Sequence, residues 1–223
     1  LIFGSAILEW LVKSGRVPVY LVPAPSQMWV AFIEQPVLFR TAFFHTALSA
    51  SIGLFLSMVL GLGGALILAY SRWFRLMFFP YALFFQTVPL IAIAPLLVIW
   101  LGYGIATDVA SAWIVSVFPV LANSVLGLLR TDPQSLQLFK LLNASPIQTL
   151  LQLRLPSALP SILAGFKIAS GLSVIGAIVG EFISGNGLGG VIDAARNQQR
   201  VDQVFVAIVL AAVLGILFFA LNR

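Results

Sequence analysis

Cysteine is absent from the 223-residue chain. No disulfide can staple the fold and no thiolate can bind a metal. Histidine is nearly absent too: His45 stands alone, so no histidine pair is available and no metal site is expected. Charge is scarce. Asp, Glu, Lys and Arg together make up 9% of the residues, against about 25% in ordinary globular domains. The acidic sign is the scarcer, seven residues against twelve basic ones, for a net charge of +5. In a soluble protein such an excess suits nucleic acid. In so apolar a chain the cations belong at membrane edges, and no nucleic-acid partner is expected. What is abundant is apolar: 61% of residues are hydrophobic and the mean hydropathy is +1.07. A soluble fold of this size cannot hide that much apolar surface, so the solvent is lipid.

The apolar runs divide the chain. Leu1–Val12 reads as the tail of a span closed by Lys13, Gly15 and Pro18. The chain begins inside this run without a methionine, so the first span is expected to be present only in part, and no cleavable signal peptide is recognisable. Pro18–Pro36 reads as a Pro-rich connector with one short amphipathic stretch, Met28–Ile33. Phe43–Tyr70, Leu76–Leu101, Val109–Leu129, Ile162–Ile183 and Val204–Leu221 read as complete spans. Ser184–Asp202 reads as a Gly-rich loop. The spacing therefore predicts an all-α membrane protein, a bundle of about six transmembrane helices, because a helix satisfies its own backbone in hydrocarbon. No alternating ten-residue pattern of a barrel is present.

Orientation follows from parity and basic residues. If Arg130–Leu159 is cytoplasmic, that side carries Arg72, Arg75, Arg130, Lys140, Arg154 and Arg223, and the other carries Lys13, Arg16, Arg40, Arg196 and Arg200. The excess is slight and favours a cytoplasmic 130–159.

Ser49, Gly53, Ser57, Gly61, Ala65 and Ala69 place a small residue at every fourth position of one span. Small residues allow helix backbones to approach closely in lipid. The stripe serves packing within the chain or a dimer seam; either way this span is buried in protein.

The stretch NASPIQTLLQLRLPSALPSI, residues 143–162, is too polar and too rich in proline to be a span. Asp132-Pro133 has the form of a helix start, and Ser145-Pro146-Ile147-Gln148 repeats it with a capping-box glutamine. A short helix is expected from Pro146 to Pro156, with a second bend at Pro160. Ile147, Leu150, Leu151 and Arg154 share one face of it. Such a segment either rests on headgroups or forms a rigid knob for the groove of another protein.

The same residues carry a resemblance. The coupling loop of binding-protein-dependent ABC importer permeases has the pattern E-A-A, three residues, Gly, nine residues, I-x-L-P. Here Leu153-Arg154-Leu155-Pro156 matches its end, Asn143 falls at the glycine and Gln137-Leu138-Phe139 at E-A-A. The spacing is kept while the acid and the glycine are replaced. Asparagine is the next most tolerant residue of a left-handed backbone, so the turn is expected to persist. LPSALPSILAGFKIA (155–169), QTVPLIAIAPLLVIWLGYG (86–104) and GAIVGEF (176–182) resemble the subgroup that imports sulfonates, taurine, nitrate, bicarbonate or vitamin-related heterocycles.

The resemblance implies a single permease domain over residues 1–223, in the bacterial inner membrane, with residues 131–158 as a cytoplasmic coupling loop. Asn143, Ala144, Ser145, Pro146, Ile147, Gln148, Leu150, Leu151, Arg154 and Pro156 would then meet a partner ATPase. It implies a second permease copy, two ATP-binding subunits that use ATP and Mg, and a soluble binding protein that delivers substrate. No cofactor is expected on this chain. A vitamin-precursor heterocycle is favoured as substrate, with sulfonate or nitrate next.

Among the polar residues in the apolar runs, Gln86, Thr87, Asn123, Ser170, Ser173 and Glu181 are the candidates for lining a pathway. They either bond between helices or line a pathway. Glu181 precedes the glycines and either anchors that loop or serves the binding protein and the gate. Lys167, a turn or two into its span, can reach back toward the interface. Gly185, Gly187 and Gly190 spell G-x-G-x-x-G, but the motif follows a span, so a tight turn is expected and a nucleotide site is not. There is no phosphate loop with its lysine, so the chain is not expected to hydrolyse ATP. An intramembrane enzyme is the rival class. It lacks support, since no G-x-S-x-G is present and Asp108, Asp132, Asp193 and Asp202 all read as loop residues. An ATP-independent channel or secondary carrier is the third class; the internal repeats that often mark carriers are not seen.

Overall fold

The computed structural model describes residues 2–15, 18 and 20–221. Arg16 and Arg223, used in the charge comparison, lie outside the described residues. Two helices come first, α1 (Ile2–Lys13) and α2 (Pro25–Glu34). The long α3 (Pro36–Tyr70) follows, then α4 (Arg72–Thr87) and α5 (Leu90–Leu101). Next are α6 (Ile105–Leu129), α7 (Pro133–Leu141) and the four-residue α8 (Pro146–Thr149). The chain ends in α9 (Leu155–Ser184), α10 (Gly187–Asn197) and α11 (Val201–Ala220). The all-α membrane class is the one observed. Among the described residues, four helical segments are long and apolar enough to cross a bilayer: 36–70, 105–129, 146–184 and 201–220.

The centre of the bundle is α6, sandwiched between α3 and α9. Small residues make this possible. On α3 the expected stripe faces α6: Ser49, Gly53, Ser57, Gly61 and Ala65 are buried, and Ser57 and Ser116 hydroxyls meet at 2.7 Å. The stripe therefore serves packing within the chain. On α9 a second small-residue face meets α6. A Cβ at Gly176 would sit 2.7 Å from the Ser111 carbonyl oxygen, and one at Gly165 would sit 2.7 Å from that of Pro119. Backbone atoms cannot move aside, so these two positions require glycine for the helices to touch.

Three sequence expectations are corrected. Leu76–Leu101 is not one span but two helices, α4 and α5, broken at Val88-Pro89. Pro89 supplies no N–H and holds Val88 extended (φ −73°, ψ 123°), which stops α4. Ser184–Asp202 is not a plain loop; it contains α10, whose Leu188 and Val191 join a core with Phe39 and Val206. Pro156 does not end the short helix, and Pro160 does not break it. A π-helical turn over Leu150–Arg154 links α8 directly to α9. That wider turn gives the Pro156 ring room that a regular α turn denies it. The Ser157 hydroxyl then donates to the Leu153 carbonyl at 2.7 Å. Residues 146–184 are thus one continuous rod rather than a knob joined to a span by a bend.

The two ends of the bundle are distinct. At one end Ala65 and Leu68 of α3 pack with Leu128 of α6, Ala158 of α9 and the half-buried Leu150. At the other, the start of α3 packs with α10 and α11. Between Tyr70 and Ile105 the chain must therefore return across the bundle, and it does so in the two pieces α4 and α5.

Candidate functional site

The segment 131–158 is ordered by its own capping chemistry. The Asp132 carboxylate accepts the Ser135 N–H at 2.9 Å and its hydroxyl at 2.8 Å, and this starts α7. The Ser135 N–H, foremost, holds that carboxyl below the ordinary range. α7 stops at Asn143, whose φ is +53°, a left-handed residue at the position where the glycine was expected. The Asn143 N–H donates to the Lys140 carbonyl and the Ala144 N–H to the Phe139 carbonyl, each at 3.0 Å. These are the two bonds of a Schellman ending. Two residues later the Ser145 hydroxyl accepts the Gln148 N–H at 3.2 Å. The Gln148 side chain accepts the Ser145 N–H at 2.8 Å, closing the capping box.

What this segment presents is apolar. Leu141, Leu142 and Ile147 are each more than two-thirds exposed, and Leu138 and Leu151 more than half. Ile147 and Leu151 point outward, as do Asn143, Ser145, Pro146, Gln148 and Pro156. Leu150 and Arg154 do not share that outward face: both are half-buried. Leu150 packs on the α3–α6–α9 cluster. Arg154 lines a cleft of about 640 Å³ with Tyr70, Lys140 and Ala144. The π turn rotates the face, so a regular helical spacing misplaces these two side chains.

At the opposite end the polar residues converge. Glu181 and Asp108 are fully buried. Glu181 Oε2 accepts the Thr46 hydroxyl at 2.8 Å and the Gly189 N–H at 3.1 Å. Thr46 in turn accepts the Leu188 N–H at 3.0 Å. Glu181 thus anchors the start of α10. Gly185 ends α9 in the left-handed region (φ +81°) and Gly187 lies at φ +55°. A Cβ at Gly187 would collide with the Glu181 carboxylate. Gly185 and Gly187 thus make the tight turn expected between α9 and α10, while Gly190 lies within α10.

Asp108, read from sequence as a loop residue, lies inside α6, where its Oδ1 accepts the Ser184 hydroxyl at 2.7 Å. Asp193 lies in α10 and Asp202 in the first turn of α11, also not in loops. His45 Nδ1 stands 3.3 Å from Glu181 Oε1 and 3.9 Å from Asp108 Oδ2. Sequence reading missed this meeting of His45, Thr46, Asp108, Glu181 and Ser184. The available signal was that ionisable residues of three separate spans lie near one membrane face.

The remaining polar residues divide. Ser170 and Ser173 are buried, and their hydroxyls donate within α9 to the carbonyls of Lys167 and Ser170 at 2.7 and 2.9 Å. The Asn123 side-chain amide donates to the Pro119 carbonyl at 2.9 Å. Gln86 and Thr87 are exposed at the end of α4, with the Thr87 hydroxyl donating to the Phe84 carbonyl at 2.7 Å. Lys167 lies 4.4 Å over the Phe219 ring.

Known proteins place this architecture. The chain is 34% identical over 226 residues to a probable ABC transporter permease protein of Haemophilus influenzae, covering 100% of this chain and 92% of that one. It is 38% identical over 223 residues to the formylaminopyrimidine transport permease protein ThiX of Halalkalibacterium halodurans, covering 99% and 89%. A putative aliphatic sulfonates transport permease protein, SsuC of Bacillus subtilis, is 29% identical over 214 residues, covering 94% and 77%. Among solved structures, the inward-facing MetNI methionine ABC transporter superposes with a TM-score of 0.74 at 16% identity, over 85% of this chain and 94% of that one. The family model described as binding-protein-dependent transport system inner membrane component matches residues 53–223. With three quarters of its length matched and two relatives 34% and 38% identical over nearly all of it, the chain belongs to that family of multi-pass inner-membrane permease components.

Proposed function

We propose that this chain forms the translocation pathway of an ATP-driven importer and that residues 131–158 dock on a separate ATPase subunit. The observation that carries the reading is the doubly capped segment itself. A Schellman ending at Asn143 and a capping box at Ser145 fix two short helices at one end of the bundle. Their exposed side chains Leu141, Leu142, Ile147 and Leu151 are apolar. The rod 146–184 runs unbroken from that surface into the bundle, so a displacement at Ile147 is carried into α9 without a hinge. Asn143, Ala144, Ser145, Pro146, Ile147, Gln148, Leu151 and Pro156 would form the contact, with Leu150 and Arg154 supporting it from behind.

The working assembly in this reading is two copies of the chain, two ATP-binding subunits that bind ATP and Mg, and a soluble binding protein. Rigid-body rocking of the two bundles then exposes the pathway to each side in turn. Gln86 and Thr87, exposed where α4 breaks before α5, are the pathway candidates a substrate can reach directly in this arrangement. Asn123, Ser170, Ser173 and Glu181 are more shielded and would serve the pathway by holding the helices around it. The substrate proposed is a small nitrogen heterocycle of the formylaminopyrimidine kind, supported by the 38% likeness to ThiX. An aliphatic sulfonate is the second reading, supported by the likeness to SsuC.

Proteoliposomes holding the permease, its ATPase and its binding protein test this. ATP-dependent uptake of labelled formylaminopyrimidine, lost without the ATPase, is expected. Sulfonate uptake would favour the second reading, and flux without ATP would make the chain a channel or carrier.

A further inference from the structure

We propose that His45, Asp108 and Glu181 form a binding site for one divalent transition-metal cation, at the end of the bundle away from the coupling segment. The three residues come from α3, α6 and α9, and one ligand atom from each lies within 4.8 Å of the others. The two measured separations are 3.3 Å, from His45 Nδ1 to Glu181 Oε1, and 3.9 Å, from His45 Nδ1 to Asp108 Oδ2. Ligand atoms about 2.1 Å from a tetrahedral ion stand roughly 3.4 Å apart, so the His45–Glu181 separation already fits and Asp108 closes the site by moving toward them.

The carboxylates are held as ligands are held. Each has one oxygen engaged by protein donors: Asp108 Oδ1 by the Ser184 hydroxyl, Glu181 Oε2 by Thr46 and the Gly189 N–H. Each turns its other oxygen toward His45. Asp108 Oδ2 is the decisive atom, for it is buried and accepts no hydrogen bond. A carboxyl oxygen without a hydrogen-bond partner is costly to bury, and no lysine or arginine pairs with either acid among the described residues. A divalent cation bonded to Asp108 Oδ2, Glu181 Oε1 and a neutral His45 Nδ1 would supply the missing partner. Its charge would also offset both acids.

The ligand set selects the class of ion. One imidazole nitrogen and two carboxylate oxygens suit Zn²⁺ or Mn²⁺ better than Mg²⁺, which takes oxygen ligands and keeps its water. His45 also borders an open cleft of about 480 Å³ with Thr41, Asn186 and Gln203. Ions can enter by that side, and water can complete the coordination there. The ion would clamp α3, α6 and α9 together beside the anchor of α10.

The test uses the full chain in detergent, purified through a tag without histidine and stripped with chelator. Calorimetric titration with Zn²⁺ and with Mn²⁺, each checked by elemental analysis after desalting, is expected to give one ion per chain for at least one of the two metals. The bound metal is expected to raise the unfolding temperature. Asp108→Asn keeps the side-chain shape but is expected to abolish stoichiometric binding. Ser184→Ala, which frees the other Asp108 oxygen, is expected to weaken binding about tenfold. His45→Gln, at a partly exposed position, repeats the test should D108N not fold. No stoichiometric binding by the wild type, or equal binding by D108N or H45Q, overturns the site and leaves a plain hydrogen bond between His45 and Glu181. These readouts do not depend on transport, so they stand apart from the importer assignment.

Discussion

Thr46 and Glu181, 135 positions apart in the chain, share a 2.8 Å hydrogen bond, with Thr46 donating. The pair ties α3 to α9 and, through the Leu188 and Gly189 N–H groups, fixes the start of α10. Thr46→Val keeps the volume but removes both the donor to Glu181 and the acceptor for Leu188. An unsatisfied buried N–H costs about 1–3 kcal/mol. A lower unfolding temperature in detergent is expected, and an unchanged one would contradict the anchoring role.

Gly176 meets the backbone of Ser111 and Ala112, whereas Gly171 of the same helix has open space around its Cα. Gly176→Val is therefore expected to force α9 from α6 at a cost of about 1–3 kcal/mol. Gly171→Val serves as the control and is expected to be close to neutral. Denaturant titration of both variants checks this; equal losses would mean that close approach at Gly176 is unimportant.

Asn143 holds a left-handed backbone at the end of α7. Asn143→Gly should preserve the turn, while Asn143→Val should strain it by about 1–2 kcal/mol. Amide exchange at Asn143 and Ala144 reads the difference directly, as a roughly 5–30-fold acceleration in the valine variant alone. Similar rates in both variants would show that the turn does not depend on this conformation.

Ser145 caps α8 through its hydroxyl. Ser145→Ala is expected to weaken the cap by about 1 kcal/mol, a roughly fivefold faster exchange of the Gln148 amide. Exchange within α9 beyond the π turn should not change. Faster exchange spreading into α9 would mean that the cap stabilises the whole rod.

The parts of the fold legible in the sequence are those governed by local chemistry. Asp132-Pro133 and Ser145-Pro146-x-Gln148 announced helix starts that the structure places at Pro133 and Pro146. The small-residue stripe on α3 announced a buried face. What escaped depends on tertiary context. Pro156 reads as a helix stop, yet the π turn before it absorbs the ring, and no local pattern marks that turn. The small face of α9 is spread over Gly165, Gly176 and Gly180 at uneven intervals, so no repeat exposes it. Asp108 sits just after Gly104, close enough to a turn to read as loop, although Thr107 and Asp108 already belong to α6. The convergence of His45, Asp108 and Glu181 is a property of three helices brought together, which one span cannot reveal.

The most direct test of the central claim uses the absence of native cysteine. A single Ile147→Cys variant, at a side chain 69% exposed, is paired with single cysteines on the partner ATPase in membranes of the working complex. The account predicts a permease–ATPase crosslink whose yield changes between ATP-bound and nucleotide-free states. Labelling of this cysteine by an impermeant reagent from the extracytoplasmic side, or no ATPase crosslink in a complex that still transports, would contradict it.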